Sequence, residues 1–183
     1  MTDKLSDFTE SMLSSKTVYR GNLLHVLEDE VRLPDGRQAR REYIRHPGAA
    51  VIVPFLDPQT VVLVRQYRYP LARHFYEIPA GKVERGEDPL AAARRELGEE
   101  CGLEAGEWRR LATIHPCIGY SDEAIEFYLA RDLAHVGHAP DDEEFLEVVN
   151  VGFAEALAWV RDGKITDQKT VIGLLWADRF CRA

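Results

Sequence analysis

The stretch GKVERGEDPLAAARRELGEECGL, residues 81–103, decides how the rest of the chain is read. Its middle, residues 88–101, predicts a helix. Asp88 suits the N-cap, and Pro89 carries the fixed φ of a first helical residue. Gly102 supplies the left-handed stop. At 3.6 residues per turn, Leu90, Leu97 and Cys101 form one stripe, which faces a core. Glu96 and Glu100, four apart, lie side by side on another flank, with Glu99 adjacent. Their Cβ atoms should be ~5–6 Å apart, and such like charges cost an isolated helix ~0.2–0.5 kcal/mol per pair. A divalent cation reverses that sign, because hard ions such as Mg²⁺ prefer clustered oxygen ligands. Arg95, four residues before Glu99, can hold that carboxylate in place. A bare E-x-x-E-E is most often only a solvated helix face. The pattern of the whole stretch separates the two readings.

Upstream of it, the alternation from 17 to 45, with a turn at Pro34-Asp35-Gly36, predicts antiparallel strands. Residues 1–16 read as a loose tail or short helix. AAVIVPF at 49–55 reads as a short buried strand, and VVLVRQYRY at 61–69 as the next. Residues 70–87, holding Pro70, Pro79, Gly81 and Gly86, read as a long irregular stretch, and such loops are often functional. Downstream, strands are expected near 108–115, 124–131 and 146–151, then helices over 152–162 and 168–180. This mixture argues for an α+β fold rather than a doubly wound parallel sheet.

The 183 residues suit one domain of ordinary size. With 45% hydrophobic and 30% charged residues, the chain is globular rather than disordered. Its net charge of −8 repels nucleic-acid phosphates, so no polymer is expected as partner. A small phosphorylated ligand stays compatible if metal ions or arginines offset the charge. Cys101, Cys117 and Cys181 form neither a CxxC knuckle nor a disulfide framework, which fits a reducing cytoplasm. His135 and His138 lack the further His or Cys of a zinc set. The first residues have no apolar signal core, and no run approaches the ~20 apolar residues of a membrane span.

The stretch 81–103 resembles the Nudix box, G-x5-E-x7-R-E-U-x-E-E-x-G-U with U aliphatic. Gly81, Glu87, Arg95, Glu96, Leu97, Glu99, Glu100, Gly102 and Leu103 fill every defined position. A chance match at one start point is on the order of 10⁻⁹ at ordinary residue usage. The resemblance implies a Nudix αβα sandwich with a mixed sheet and a loop–helix–loop metal site. It places Glu96 and Glu100 as metal ligands, adds the Ala80 carbonyl, and makes Glu99 a further ligand or a catalytic contact to metal-bound water. Glu87 and Arg95 look like orienting partners, with Arg95 counted among the catalytic candidates.

The flanks RQYRYP (65–70), EIPAGKVE (77–84), HPGAAVIVPF (46–55) and FAEALAWVRDGKITDQKTVIGLLWA (153–177) resemble the ADP-ribose pyrophosphatase and nucleotide-sugar hydrolase branch. That resemblance implies Mg²⁺-dependent hydrolysis of ADP-ribose to AMP and ribose 5-phosphate, with Mn²⁺ as a substitute. UDP-glucose or GDP-mannose are the rival substrates, and a non-catalytic ADP-ribose sensor is the reading from another class. The branch places its base on a late acidic loop, here Glu144 of Asp141-Asp142-Glu143-Glu144, with Glu143 second. Arg68 resembles a substrate-contacting arginine, since a guanidinium pairs with two diphosphate oxygens. Arg41, with Arg40, is a weaker candidate, and Tyr67 and Tyr69 could stack on a base. In HPCIGYSDE (115–123), Gly119 and Glu123 fit the branch's S-P-G-x-x-x-E, so Glu123 is a substrate or metal-water contact. Ile118 stands where proline is expected. The N-terminal strands, within 1–47, resemble a segment that branch members exchange to form a homodimer, leaving 48–183 as the hydrolase domain.

Overall fold

A computed structural model of the chain describes residues 6–137 and 145–181. Among these are ten strands and three α-helices. They cluster into two compact units. One comprises the chain up to His46 together with Cys117–Glu123, and the other Pro47–Pro116 with the chain from Ala124 onward.

The larger unit is built on a mixed sheet. Its strands are β4 (Ala49–Asp57), β5 (Thr60–Arg68), β6 (Arg73–Glu77), β7 (Ala80–Lys82), β8 (Leu103–Ile114), β9 (Ile125–His135) and β10 (Leu146–Gly152). The order is β10-β5-β4-β9-β8, with β6 paired to β5 and β7 to β4. β4 and β9 run parallel, and the other pairs are antiparallel. The period of two along a strand sorts the core. Val51, Val53 and Phe55 of β4 pack with Phe153 and Ala156 of α2 (Phe153–Arg161) and Leu174 and Ala177 of α3 (Gln168–Phe180). Ala50 and Ile52 turn the other way, onto Ala92, Ala93 and Leu97 of α1 (Pro89–Cys101). Helices therefore cover both faces, which explains why β4 and β5 read as continuous apolar runs. This is the expected αβα sandwich of α+β type.

The smaller unit is an antiparallel sheet, β1-β2-β3, of β1 (Ser11–Arg20), β2 (His25–Arg32) and β3 (Gln38–Ile44). The turn between β2 and β3 needs Gly36 at φ 87°, a conformation that a Cβ would strain. The segment Cys117–Glu123 is tied to β3. Ile44 N donates to Tyr120 O at 2.8 Å, and Asp122 Oδ1 accepts His46 N at 2.7 Å.

Two expectations are corrected. The supposed tail 1–16 runs into β1 from Ser11 onward. Only Thr17 to Arg20 of β1 fall in the alternating stretch read as strand; residues 11–16 do not, and all ten residues of β1 are exposed. The supposedly irregular stretch 70–87 contains β6 and β7, short strands separated by Pro79. Among the described residues no helix is long and apolar enough to cross a membrane.

Candidate active site

The box helix forms for local reasons. Asp88 accepts hydrogen bonds from Leu90 N at 3.0 Å and Ala91 N at 3.3 Å, Pro89 starts the first turn, and Gly102 closes the helix at φ 65°. Burial of Ala92, Ala93, Leu97 and Cys101 fixes its rotation against the sheet. That rotation also buries two charged side chains, Glu96 at 8% and Glu100 at 3% exposure. Buried carboxylates need partners, and both have them.

Arg95 gathers the acids. Its Nη1 donates to Glu96 Oε1 and to Glu99 Oε2, each at 2.8 Å. Its Nε reaches Glu87 Oε1 at 3.1 Å, and Nη2 reaches Glu87 Oε2 at 3.2 Å and Lys82 O at 3.1 Å. The guanidinium is thereby held more firmly protonated, first by the Glu87 hydrogen bond. Glu87 in turn is held below the usual carboxylate range, by Arg95 first and then by the Glu84 N–H.

Glu100 faces β7, where its Oε2 accepts Ala80 N at 3.0 Å. The next residue, Gly81, leaves room for Glu96. A Cβ on Gly81 would stand 1.8 Å from Glu96 Oε1, so no larger residue fits without displacing that carboxylate. The helix and β7 thus bring together Glu96, Glu99, Glu100 and the Ala80 peptide. All are hard oxygen donors, chemically suited to a divalent cation of the Mg²⁺ class. No three His, Cys, Asp or Glu side chains among the described residues already converge as a ligand set. The acids are turned onto Arg95 and Ala80 N, and a cation would compete with those hydrogen bonds.

Arg68, at the end of β5, is engaged by Glu77 of β6 in a two-pronged pair, Nε–Oε1 2.8 Å and Nη2–Oε2 2.7 Å. Lys169 of α3 also donates to Glu77 Oε2. Burial raises the carboxyl's pKa, but Arg68 and Lys169 outweigh it and hold Glu77 below its usual range. Glu77 and Lys169 were not singled out in the sequence. The available signal was Glu77 beside Pro79 in the flank already noted, and an Asp167-x-x-Thr170 cap opening α3.

Arg41 and Glu123 lie in the smaller unit. Arg41 donates to Glu10, through Nε to Oε2 at 2.9 Å and through Nη2 to Oε1. Glu123 Oε1 sits 3.7 Å from His46 Nδ1, a neighbour that sequence reasoning passed over. Tyr67 packs edge-on to His74 at 5.4 Å, and Tyr69 is 86% exposed. Glu144, Glu143, Asp142, Asp141 and His138 lie outside the described residues. A separate cavity of about 770 Å³, lined by Phe55, Pro58, Arg131, Asp132, Ala177 and Cys181 among others, shares no residue with the box.

Residues 45–171 match the NUDIX domain, and residues 10–44 match the Nucleoside diphosphate sugar hydrolase N-terminal domain. The chain belongs to the Nudix hydrolase family. Among similar relatives is "Methanol dehydrogenase activator" of Bacillus methanolicus, 37% identical over 169 residues, covering 91% of each chain. Another is "ADP-ribose pyrophosphatase" of Bacillus subtilis (strain 168), 32% identical over 172 residues and 93% of each chain. A solved structure titled "Crystal structure of ADP compounds hydrolase" matches with a TM-score of 0.85 at 24% identity. It covers 98% of this chain and 100% of that one, a likeness of fold. Nudix hydrolases generally use divalent metal ions, which agrees with the oxygen-rich donor set of the box.

Proposed function

We propose that this Nudix hydrolase splits the diphosphate of ADP-ribose, giving AMP and ribose 5-phosphate, with Mg²⁺ as its ion and Mn²⁺ as a substitute. The observation that carries the reading is the pair of buried carboxylates, Glu96 and Glu100, packed against β7 at Ala80 and Gly81. Burying two acids side by side costs stability unless cations or donors compensate, and here Arg95 and the Ala80 N–H do so. The similarity to the Bacillus subtilis ADP-ribose pyrophosphatase supports the substrate.

In this reading Glu96, Glu100 and the Ala80 carbonyl hold the cation, and Glu99 adds a further oxygen. The bound ion would neutralise phosphate oxygens and make water more acidic. Arg95 orients Glu96 and Glu99 by direct hydrogen bonds. Arg68, steadied by Glu77, faces a diphosphate with its remaining donor capacity. Glu144, of the acidic run 141–144, is assigned as the base that takes the proton of the attacking water, with Glu143 as second choice. The water oxygen bonds to one phosphorus as the bridging oxygen leaves with the other phosphate. Glu123 and Arg41 are assigned to substrate contact.

Residues 1–47 are assigned as a homodimerisation segment, and 48–183 as the hydrolase domain. All ten residues of β1 are exposed, including Met12, Val18 and Tyr19, which leaves apolar strand surface for a second copy. The unpaired thiols Cys101, Cys117 and Cys181 suit the cytoplasm.

A substrate panel tests the reaction. At one pH and one Mg²⁺ concentration, ADP-ribose should show the highest kcat/KM, with AMP and ribose 5-phosphate identified by mass spectrometry. Ile118 in place of the branch's proline leads us to expect measurable turnover of other nucleotide sugars. A UDP- or GDP-sugar exceeding ADP-ribose tenfold, about 1.4 kcal/mol in transition-state binding, would overturn the substrate while sparing the hydrolase.

A further inference from the structure

We infer that Thr170, at the start of α3, is a positioning residue for the metal-ligand loop, its hydroxyl fixing the Ile78 peptide and through it the Ala80 carbonyl. The inference rests on the proposed role of that carbonyl. Thr170 is completely buried. Its Oγ1 accepts Ile78 N at 2.9 Å and donates to Asp167 Oδ2 at 2.5 Å. A hydroxyl has one proton. Because Asp167 takes it, the oxygen lone pairs are left for Ile78, and the hydroxyl's orientation is set.

Helix capping does not need this arrangement. Asp167 already caps α3 by accepting Thr170 N at 3.0 Å. The bond to Ile78, 92 positions away in sequence, is additional. Two neighbours on the same helix act on the same segment. Lys169 donates to Glu77, one residue before Ile78. Gly173, one turn on, permits close approach, since a Cβ there would lie 2.7 Å from Ile78 Cδ1. α3 therefore grips residues 77–78 by a side chain, a peptide N–H and a packing contact.

The grip continues to the box. Pro79 O accepts Ile52 N at 2.9 Å, and Ala80 N donates to Glu100 Oε2 at 3.0 Å. Between Thr170 and Glu100 the path runs through Ile78, Pro79 and Ala80, and proline stiffens it. Mg²⁺ requires ligands at ~2.0–2.1 Å in near-octahedral array. Partners that orient ligands are worth about 10–100-fold in metal affinity.

The test uses the full chain and Mn²⁺ alone, titrated by electron paramagnetic resonance without substrate. Thr170→Val keeps the branched shape and loses the hydroxyl, whereas Thr170→Ser keeps it. Mn²⁺ affinity should fall about tenfold in Thr170→Val and stay within about twofold of wild type in Thr170→Ser. Phe153→Leu, in the same core but on α2, should lower the melting temperature and leave Mn²⁺ affinity unchanged. Wild-type affinity in Thr170→Val overturns the inference, as does equal weakening in Phe153→Leu. If Thr170→Val does not fold, Thr170→Ala carries the same expectation and the same refutation. A wild-type protein that binds no Mn²⁺ overturns instead the metal role on which the inference stands, so the two failures are distinct.

Discussion

The box helix and the N-terminal sheet treat buried acids in opposite ways. In the box, Glu96 pairs with Arg95 and Glu100 accepts from Ala80 N, so the cost of burial is met within the unit. In the N-terminal sheet, Asp29 is 7% exposed and its Oδ1 has no hydrogen-bond partner among the described residues. Its cross-strand neighbour Arg41 is engaged by Glu10 instead. The same sheet leaves β1 exposed along its whole length. The box thus meets the cost of its buried acids by pairing that a cation would have to displace. The sheet leaves polar and apolar capacity unused, which is the condition for association.

The largest expected effect breaks the box side of this contrast. EDTA should abolish turnover, and Mg²⁺ or Mn²⁺ should restore it. Glu100→Gln keeps the shape and the acceptor for Ala80 N but removes a charge, and turnover should drop about 10²-fold or more. Its circular dichroism should match wild type, because neighbouring carboxylates at 96 and 100 repel. Near-normal turnover of Glu100→Gln at saturating metal would remove that residue from the cation.

A second test sharpens the comparison through Glu77, a buried acid in the larger unit that is fully paired. Glu77→Gln should cost about 2 kcal/mol at pH 7, roughly 4–8 °C in melting temperature. The folded pKa of Glu77 lies below its ordinary value of 4.5. Its contribution is therefore present above about pH 4.5 and is lost as the pH falls through the lower, folded value. The gap in melting temperature between wild type and Glu77→Gln should narrow in that acidic window. A gap unchanged down to pH 3 would show that charge pairing is not its source.

The same contrast explains what could be read from the sequence. The box helix was legible to its caps, because Asp88, Pro89 and Gly102 act locally and Leu97 and Cys101 repeat with the helical period. β4 and β5 were legible as apolar runs because both their faces are covered. The first six residues of β1, read as tail, were not, since nothing along that strand is buried. The acids of the box declared themselves by spacing. The Arg68–Glu77–Lys169 cluster and the Thr170–Ile78 bond did not, because they join β5, β6 and α3 across separations that leave no periodic trace. His46 beside Glu123 escaped for the same reason.

On the N-terminal side, the proposed homodimer gives a smaller but direct test. Val18 and Tyr19 are successive exposed residues of β1, at a shift in its register against β2. The double variant Val18→Asp, Tyr19→Asp places charge on both. Exposed substitutions cost a chain little, typically within about ±0.5 kcal/mol each, so the fold should persist. Light scattering at fixed concentration should show wild type at twice the 20.8 kDa chain mass and the variant at a single chain mass. A monomeric wild type would break the comparison, leaving the exposed β1 without an occupant.

The smallest effect concerns Asp29 itself. An ionised carboxylate oxygen shut away from water without a donor loses hydration and gains nothing in return. Asn has nearly the same shape and no charge, so Asp29→Asn removes the charge penalty while filling the same space. Because Oδ1 lacks a partner among the described residues, the substitution should be neutral or stabilising, by up to about 1 kcal/mol, or roughly 2–4 °C in melting temperature. The opposite change to Glu77→Gln is the point, for the two residues differ in pairing more than in burial, at 7% and 2% exposure. Melting both variants in one buffer at pH 7 compares them directly. A loss for Asp29→Asn as large as that for Glu77→Gln would show that Oδ1 is paired in solution, and the contrast between the two units would no longer rest on this residue.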